Sequence, residues 1–510
     1  MAGHSAIYGD RFSYVKGACS STEKGAKALY YPISPPENEK YNAEHPAEYN
    51  LDQLPMRNEQ CYWDTIKEIL AATSKNAAAA ITKRTGISRM PLAAASPAFL
   101  HPSFFPLDPF HLFYENIMAF LWDLWTKYSL PSESIHLSPG KAAQFGRLVV
   151  EAMATLPPCF CGPVRDPFLK RHSQYKIYEW MALLHWYVLP IGMELGFNSL
   201  VLENFAYVAD VIEAAMTIKR QTNTELEGIF GWVKTFFKGF QKSYIGEKAE
   251  NIYRFRLCIF QLIHVPQHIE WNGSIRLGSQ ATVERAIGEM GHKIHSKKAP
   301  FKNLANLIYE RELLKALSLY YPELHAEPKK PNKTTIKEVQ ILNKERHPGQ
   351  QFHSYLLEIC KFLGVDFDPQ LNLRRWAKLR LSSGDTLGSL LSGTLKPPTR
   401  SSRYFEAENH KDTQPTFGEA LAFFEVVKYG VVVIYHLLVK QNQVLRRWRG
   451  VWSSDVKVIQ VSSIKSLIGI WAYNDWVYAL RKHPGLDWLT PAEHGEPETD
   501  GQDGEEEEND

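Results

Sequence analysis

The strongest constraint on this fold is a change of hydrophobic period along the chain. From Tyr62 to about Leu324, Trp, Phe, Tyr, Leu and Ile recur at i, i+3 and i+4, the spacing that puts apolar side chains on one stripe of a helix. From about Pro415 the pattern becomes "EALAFFEVV", "GVVVIYHLLV", "VKVIQV", "SLIGIWAY" and "WVYALRK". These β-branched and aromatic runs are punctuated by Tyr-Gly, Gln-Asn, Ser-Ser and Tyr-Asn, as strands are. The spacing therefore predicts a mainly α chain with a C-terminal antiparallel β module. Strands this short are unstable as a lone hairpin, but about five can close on a shared core, here Phe423, Val432, Ile434, Ile459, Ile468 and Trp476, as a small barrel-like domain.

Helices are expected over 62–86, 115–127, 141–154, 174–189, 198–219, 224–242, 251–263, 282–295, 303–319 and 351–363. The first carries Trp63, Ile66, Ile69 and Leu70 on one face and closes at Gly86, a natural C-cap. Residues 1–61 are rich in Pro, Asn and Glu and read as an extended connector. After them come a helical domain over 62–324, a polar linker with one or two helices over 325–414, the β module over 415–490, and a tail over 491–510. Between Glu493 and Asp510 the tail holds ten Asp and Glu and no Lys or Arg, so the net charge of +2 conceals a basic body. Such a tail is expected to be disordered, and to oppose any nucleic acid approaching the body.

The apolar runs acquire charges before reaching the roughly 20 residues a bilayer span needs. No membrane partner is expected, and the chain reads as a soluble intracellular protein, nuclear or cytoplasmic. Six Cys, at 19, 61, 159, 161, 258 and 360, are too scattered for a disulfide framework and lack zinc-site spacing; they read as reduced thiols.

Three constellations could carry chemistry. Asp108-Pro109-Phe110-His111 is either a metal-type Asp-x-x-His pair or an Asp N-cap with Pro at the first helical position. Glu284 and Arg285 precede a basic patch of Lys293, His295, Lys297 and Lys298, which is either a phosphate-contacting face or a solvated one. In "LRRWRGVW", Arg446, Arg447 and Arg449 surround Trp448 and Trp452, a mix that can stack on bases while contacting phosphate, or else solvate a core rim.

The order of "ALYYPISPP", Leu54–Arg57, "SPAFLHPSFFPLDPFHLFYENIMAFLWDLW", "LIHVPQHIEWNGSIRLGSQATVERAIGEMGHKIHSKKAP" and the β module ending "HPGLDWL" resembles the transposases of fungal cut-and-paste DNA transposons of the CACTA and Plavaka type. The resemblance spans nearly the whole chain and is carried by several short motifs in order. It implies the C-terminal part of an RNase H-like catalytic domain with a large helical insertion, followed by the small barrel. In that family two Asp and one Glu bind two divalent metals. By the match, Asp108 and His111 are the Asp-x-x-His pair, residues of about 130–270 are the insertion, and Glu284 is the final carboxylate.

Two-metal phosphoryl transfer needs acidic oxygens converging on ions about 3.5–4 Å apart. The family's two Asp have no counterpart here: the chain opens at what resembles the Gly-His segment after the second Asp (Gly3, His4), and the Cys pair has become Cys19-Ser20-Ser21-Thr22. Asp10, Asp52 and Asp64 are the only earlier Asp residues available, and none follows a strand-like run. The expectation is therefore a catalytically inactive, transposase-derived protein with no cofactor, a transposon remnant or a recruited module that binds DNA or protein. The alternatives are a nuclease or transposase using Mg²⁺ or Mn²⁺ at Glu284 with Asp108 and Asp123 or Glu115, and a structural partner of transposase subunits or of itself.

Overall fold

The computed structural model describes residues 6–19, 29–37, 48–170, 175–280, 298–321, 340–342, 352–369, 371–390, 400–408 and 414–482, with 284, 287–288, 290–291 and 294 between the longer stretches. Arg285, Lys293, His295, Lys297, the tail from Glu493 and most of the 325–351 linker lie outside them.

The N-terminal stretch is extended, as its composition implies, yet it belongs to the core. Phe12, Val15, Ala18, Tyr31 and Ile33 are all buried in the main apolar cluster, and β1 (Ala18–Cys19) pairs antiparallel with β2 (Leu29–Tyr30). Arg57 ties this segment to the first helices. Its buried guanidinium donates to the carbonyls of Tyr8, Asp10, Ser13 and Thr85 at 2.7–3.3 Å.

The expected single helix over 62–86 is two, α1 (Glu59–Ala71) and α2 (Lys75–Thr85). The break falls where Ser74 turns extended and its hydroxyl caps the Ala77 amide at 3.1 Å, a cap worth about 1 kcal/mol. Gly86 does close α2, with φ of 74°. Leu70, expected on the buried face, is instead exposed. Next comes α3, π-helical over Phe110–Met118 and α-helical over Ala119–Thr126. It starts ahead of the expected Glu115 because Asp108 and Pro109 initiate it.

The helical body continues with α4 (Pro139–Ala152) and with α5, which runs through Ile177–Ala182, a π turn at Leu183–Tyr187 and Val188–Glu194. It is completed by α6 (Ser199–Ala215), α7 (Asn223–Phe240) and α8 (Val265–Asn272). The stretch expected as one helix over 251–263 is a series of short turns, Ala249–Arg254, Leu257–Phe260 and Gln261–His264. The break comes at Phe255, whose backbone (φ −96°, ψ 70°) leaves the helical region. Two more helices, α9 (Pro300–Tyr320) and α10 (Phe352–Leu363), lie between this body and the β module. No helix among the described residues is long and apolar enough to cross a membrane.

The β module is a closed barrel of six antiparallel strands: β4 (Tyr404–Ala407), β5 (Thr416–Val426), β6 (Gly430–Val444), β7 (Arg447–Gln460), β8 (Ile464–Tyr473) and β9 (Trp476–Arg481). They close in the order β4-β5-β6-β7-β9-β8, and β3 (Leu373–Trp376) adds to β5. The barrel thus takes in Tyr404, ahead of the expected start at Pro415, and β6 and β7 are far longer than the runs read from sequence. Gln441-Asn442 is not a turn but part of β6, with Asn442 paired to Arg449 of β7 and Gln441 at the register shift beside it. Ser453-Ser454 lies inside β7, at a bulge between Trp452 and Val456. The real hairpin turn is Leu445-Arg446, both left-handed at φ 48° and 62°.

The expected shared core is divided between two faces. Val432, Ile434 and Leu438 alternate onto the inner face of β6; Ile468, Phe417 and Val477 join it, and α10 packs Leu356 and Ile359 against it. Phe423, with the partly buried Ile459 and Trp476, belongs to the cluster shared with the helices. That outer face is docked firmly. Arg400 donates to the carbonyls of Leu156, Pro157 and Cys161 at 2.6–2.9 Å, and Trp186 Nε1 donates to Arg481 O at 3.0 Å. A Cβ on Gly469 would lie 2.7 Å from Leu156 Cδ1, so a larger residue there would make the Leu156 side chain shift.

Candidate functional site

Asp108 performs the capping role its sequence context suggests. Its Oδ1 accepts from the Phe110 amide at 3.1 Å and its carbonyl from Leu112 at 3.0 Å, while Pro109 already has helical φ and ψ. Its other oxygen, Oδ2, contacts His111 Nδ1. That hydrogen bond fixes the imidazole so that Nε2 points away from the cap. In front of Nε2 stand two more carboxylates: Glu284 at 3.0 Å and Glu115, one turn further along α3, at 3.4 Å.

Glu284 reaches this position through a close backbone contact. The 3₁₀ turn Ile275–Gly278 lies against Pro106 and Leu107, and a Cβ on Gly278 would sit 2.8 Å from Pro106 Cβ and 2.9 Å from Leu107 O. Gln280 then accepts the Glu284 amide at 2.9 Å. The pair far apart in sequence, Asp108 with His111 and Glu284, is thereby brought together.

Partial burial disfavours the charged imidazole, but the Asp108 hydrogen bond and the charges of Asp108, Glu284 and Glu115 outweigh it, and the pKa of His111 is raised. The raised pKa extends upward the pH range over which the centre is an imidazolium held among three carboxylates. Among the described residues, no group of three or more His, Cys, Asp or Glu side chains is arranged to hold a metal ion. The donor set does not fit the two-metal chemistry implied by the resemblance, since Asp108 and Glu284 both direct an oxygen at the imidazole.

The other acids considered from sequence are engaged elsewhere. Asp10 is fully buried, accepting from Ser13 and facing His264 Nε2 at 3.0 Å. Asp52 pairs with Lys234 at 2.8 Å and Asp64 with Lys67 at 3.3 Å. Asp123 lies in the α-helical half of α3, roughly 20 Å along the axis from Asp108.

Of the basic candidates, Lys298 is described and exposed. The arginines of the β6–β7 hairpin reach across to helical carboxylates. Arg446 pairs with Asp210 and lies over the Tyr207 ring, Arg447 meets Glu213 at 2.9 Å, and Arg449 stacks on Trp476 and bonds Tyr478 at 3.2 Å. Trp452 stacks on Tyr404 and Trp448 meets Phe417 edge-on, both against the inner barrel cluster.

A buried polar chain that the sequence did not reveal runs behind the site. Tyr114, on the first turns of α3, shares a hydrogen bond of 3.0 Å with His185 Nε2. His185 Nδ1 faces Glu213 at 3.3 Å, and Glu213 binds Arg447. Burial lowers the pKa of His185, more than Glu213 raises it, so the ring is neutral, donating from Nδ1 and accepting the tyrosine proton at Nε2. Tyr114 and His185 both occupy π-helical turns, which insert an extra residue per turn and recur where a side chain must be re-aimed. In sequence both merge into the aromatic stripes of their helices.

No protein-family model, curated protein or solved structure matches the chain.

Proposed function

We propose that this chain is a catalytically inactive, transposase-derived protein that acts as a nucleic-acid- or protein-binding module. One observation carries the reading: Asp108 and Glu284, assigned to one site by the motif order alone, clasp the same imidazole. Their meeting supports an RNase H-like ancestry for this part of the chain, with α4 to α7 as the helical insertion. Their engagement supports loss of chemistry, because a resident imidazolium takes the carboxylate oxygens that metal ions would need. DNA is the first partner to test, through weak phosphate contacts around Lys298 and its basic neighbours in sequence.

The test is incubation of the purified chain with labelled duplex over a range of Mg²⁺ and Mn²⁺ concentrations. No cleavage above that of Glu284→Ala is expected, with duplex binding that weakens steeply as salt rises. Cleavage that requires Glu284 would overturn the reading. It would favour the second one, a metal-dependent nuclease, for which the convergence of Glu115 on the same imidazole speaks. In that case activity should appear only above the raised pKa of His111, where the ring is neutral and can share the site with an ion.

A further inference from the structure

The helix α9 spans 21 residues without burying one of them. Its sequence, "PFKNLANLIYERELLKALSLY", is unusually apolar for such exposure, and one face is bare from end to end. Phe301, Ala305, Ile308, Tyr309, Leu313, Ala316 and Tyr320 follow helical spacing and are all exposed, Phe301 by 85%, Tyr309 by 68% and Tyr320 by 81%. A stripe this long requires a cover, since monomers rarely leave a continuous apolar patch in water.

The order of residues on that face indicates what covers it. Read outward from the midpoint between Glu310 and Arg311, the apolar positions mirror each other, Ile308 with Leu313, Ala305 with Ala316 and Phe301 with Tyr320, while Tyr309 falls opposite Glu312 and Lys302 opposite Leu319. An antiparallel two-fold axis through that midpoint brings each residue opposite its counterpart in another copy of the helix. Isologous contacts demand this self-complementarity, and an unrelated partner does not. Aromatics meet at both ends, aliphatics near the centre, the tyrosine phenol faces a carboxylate, and alanines at two levels let the axes approach to about 8–10 Å. We propose that α9 is a homodimerisation helix, pairing antiparallel with α9 of a second copy of this chain through the Phe301–Tyr320 face.

The full chain is tested by sedimentation velocity over a range of concentrations, where a reversible dimer is expected. Ile308 and Leu313 are both exposed, so Ile308→Asp with Leu313→Asp should leave the fold and its circular dichroism intact. Self-association should weaken on the order of 100-fold or more, because carboxylates are forced into an apolar contact. A monomer at every concentration overturns the proposal, as does a dimer unaffected by the double substitution.

Register is tested by cysteine cross-linking against the parent chain, whose exposed Cys61 sets the background. An equimolar mixture of Ala305→Cys and Ala316→Cys chains should give an oxidised dimer, and neither variant should do so alone. In the antiparallel register the two copies of position 305 stand about 16 Å apart along the axis, beyond the roughly 4.4–6.8 Å between Cα atoms that a disulfide spans. Cross-linking of Ala305→Cys alone would mean a parallel pair and would refute the mirror argument.

Discussion

Replacing Arg447 by Ala is the sharpest test of how the barrel is held on the helices. Its side chain is 14% exposed and that of Glu213 is 17%, with 2.9 Å between them. Removing one partner of a fully buried pair costs about 3–5 kcal/mol, mostly from the stranded charge. Glu213 keeps the Nδ1–H of His185 and some water, so a loss of about 2–3 kcal/mol is the reasoned value. For a chain of 510 residues that corresponds to a melting point roughly 2–3 °C lower.

Differential scanning calorimetry reads the change directly. The companion double variant, Arg447→Met with Glu213→Leu, leaves no stranded charge and should recover to within about 1 kcal/mol of the parent, giving a large coupling energy. Two results would refute the reasoning: a shift under roughly 1 °C for Arg447→Ala, or a double variant as unstable as the two single losses combined. Either would mean that the hairpin does not dock through this pair and that its arginines are free to serve another partner.

Gly278→Ala should cost about 1–3 kcal/mol through overpacking against Pro106 and Leu107 and should draw Glu284 away from His111, so NMR titration of His111 should show a fall in its pKa. The raised pKa of His111 makes the clamp most stabilising below the unfolded value of 6.5, with the benefit lost as pH rises through the folded value; hydrogen exchange over 110–118 should quicken there in the parent and lose this pH dependence in His111→Gln. For Asp10, burial opposes ionisation, but His264 and Ser13 prevail and its pKa is lowered from 3.8. Its stabilisation is therefore present above that value and is lost as pH falls through the folded one. Acid unfolding should accordingly be shallower in Asp10→Asn, and an unchanged acid limb would discard this assignment.

What could be read from the sequence is what neighbours in sequence decide. The change of period located helices and barrel, Gly86 ended α2, and Asp108-Pro109 began α3, because each is a local preference. Local signals also misled. Gln-Asn suggested a turn, yet in β6 it is strand, and the turn fell on Leu445-Arg446, which have no intrinsic taste for a left-handed backbone. That turn is held by distant groups, Arg446 by Asp210 and the Tyr207 ring. The Tyr114–His185–Glu213–Arg447 chain was hidden for the same reason. Each member looks like ordinary helix or hairpin, and only the docking of barrel on helices joins them.

The electrostatics of the His111 centre follow from where it sits. Asp108 caps a helix N-terminus, where the helix dipole already favours a negative group, so its carboxylate is anchored whether or not the imidazole is charged. Glu284, half exposed, is held among the described residues by its contact with His111 Nε2. Deprotonating His111 thus releases Glu284 first and leaves the cap in place. A divalent cation could use Glu284 and Glu115 only by displacing that proton, so proton and metal would compete for one position rather than act together. As a clamp, the centre ties α3 to the Glu284 segment while His111 is protonated. Any hydrolytic activity would have to begin by opening that clamp.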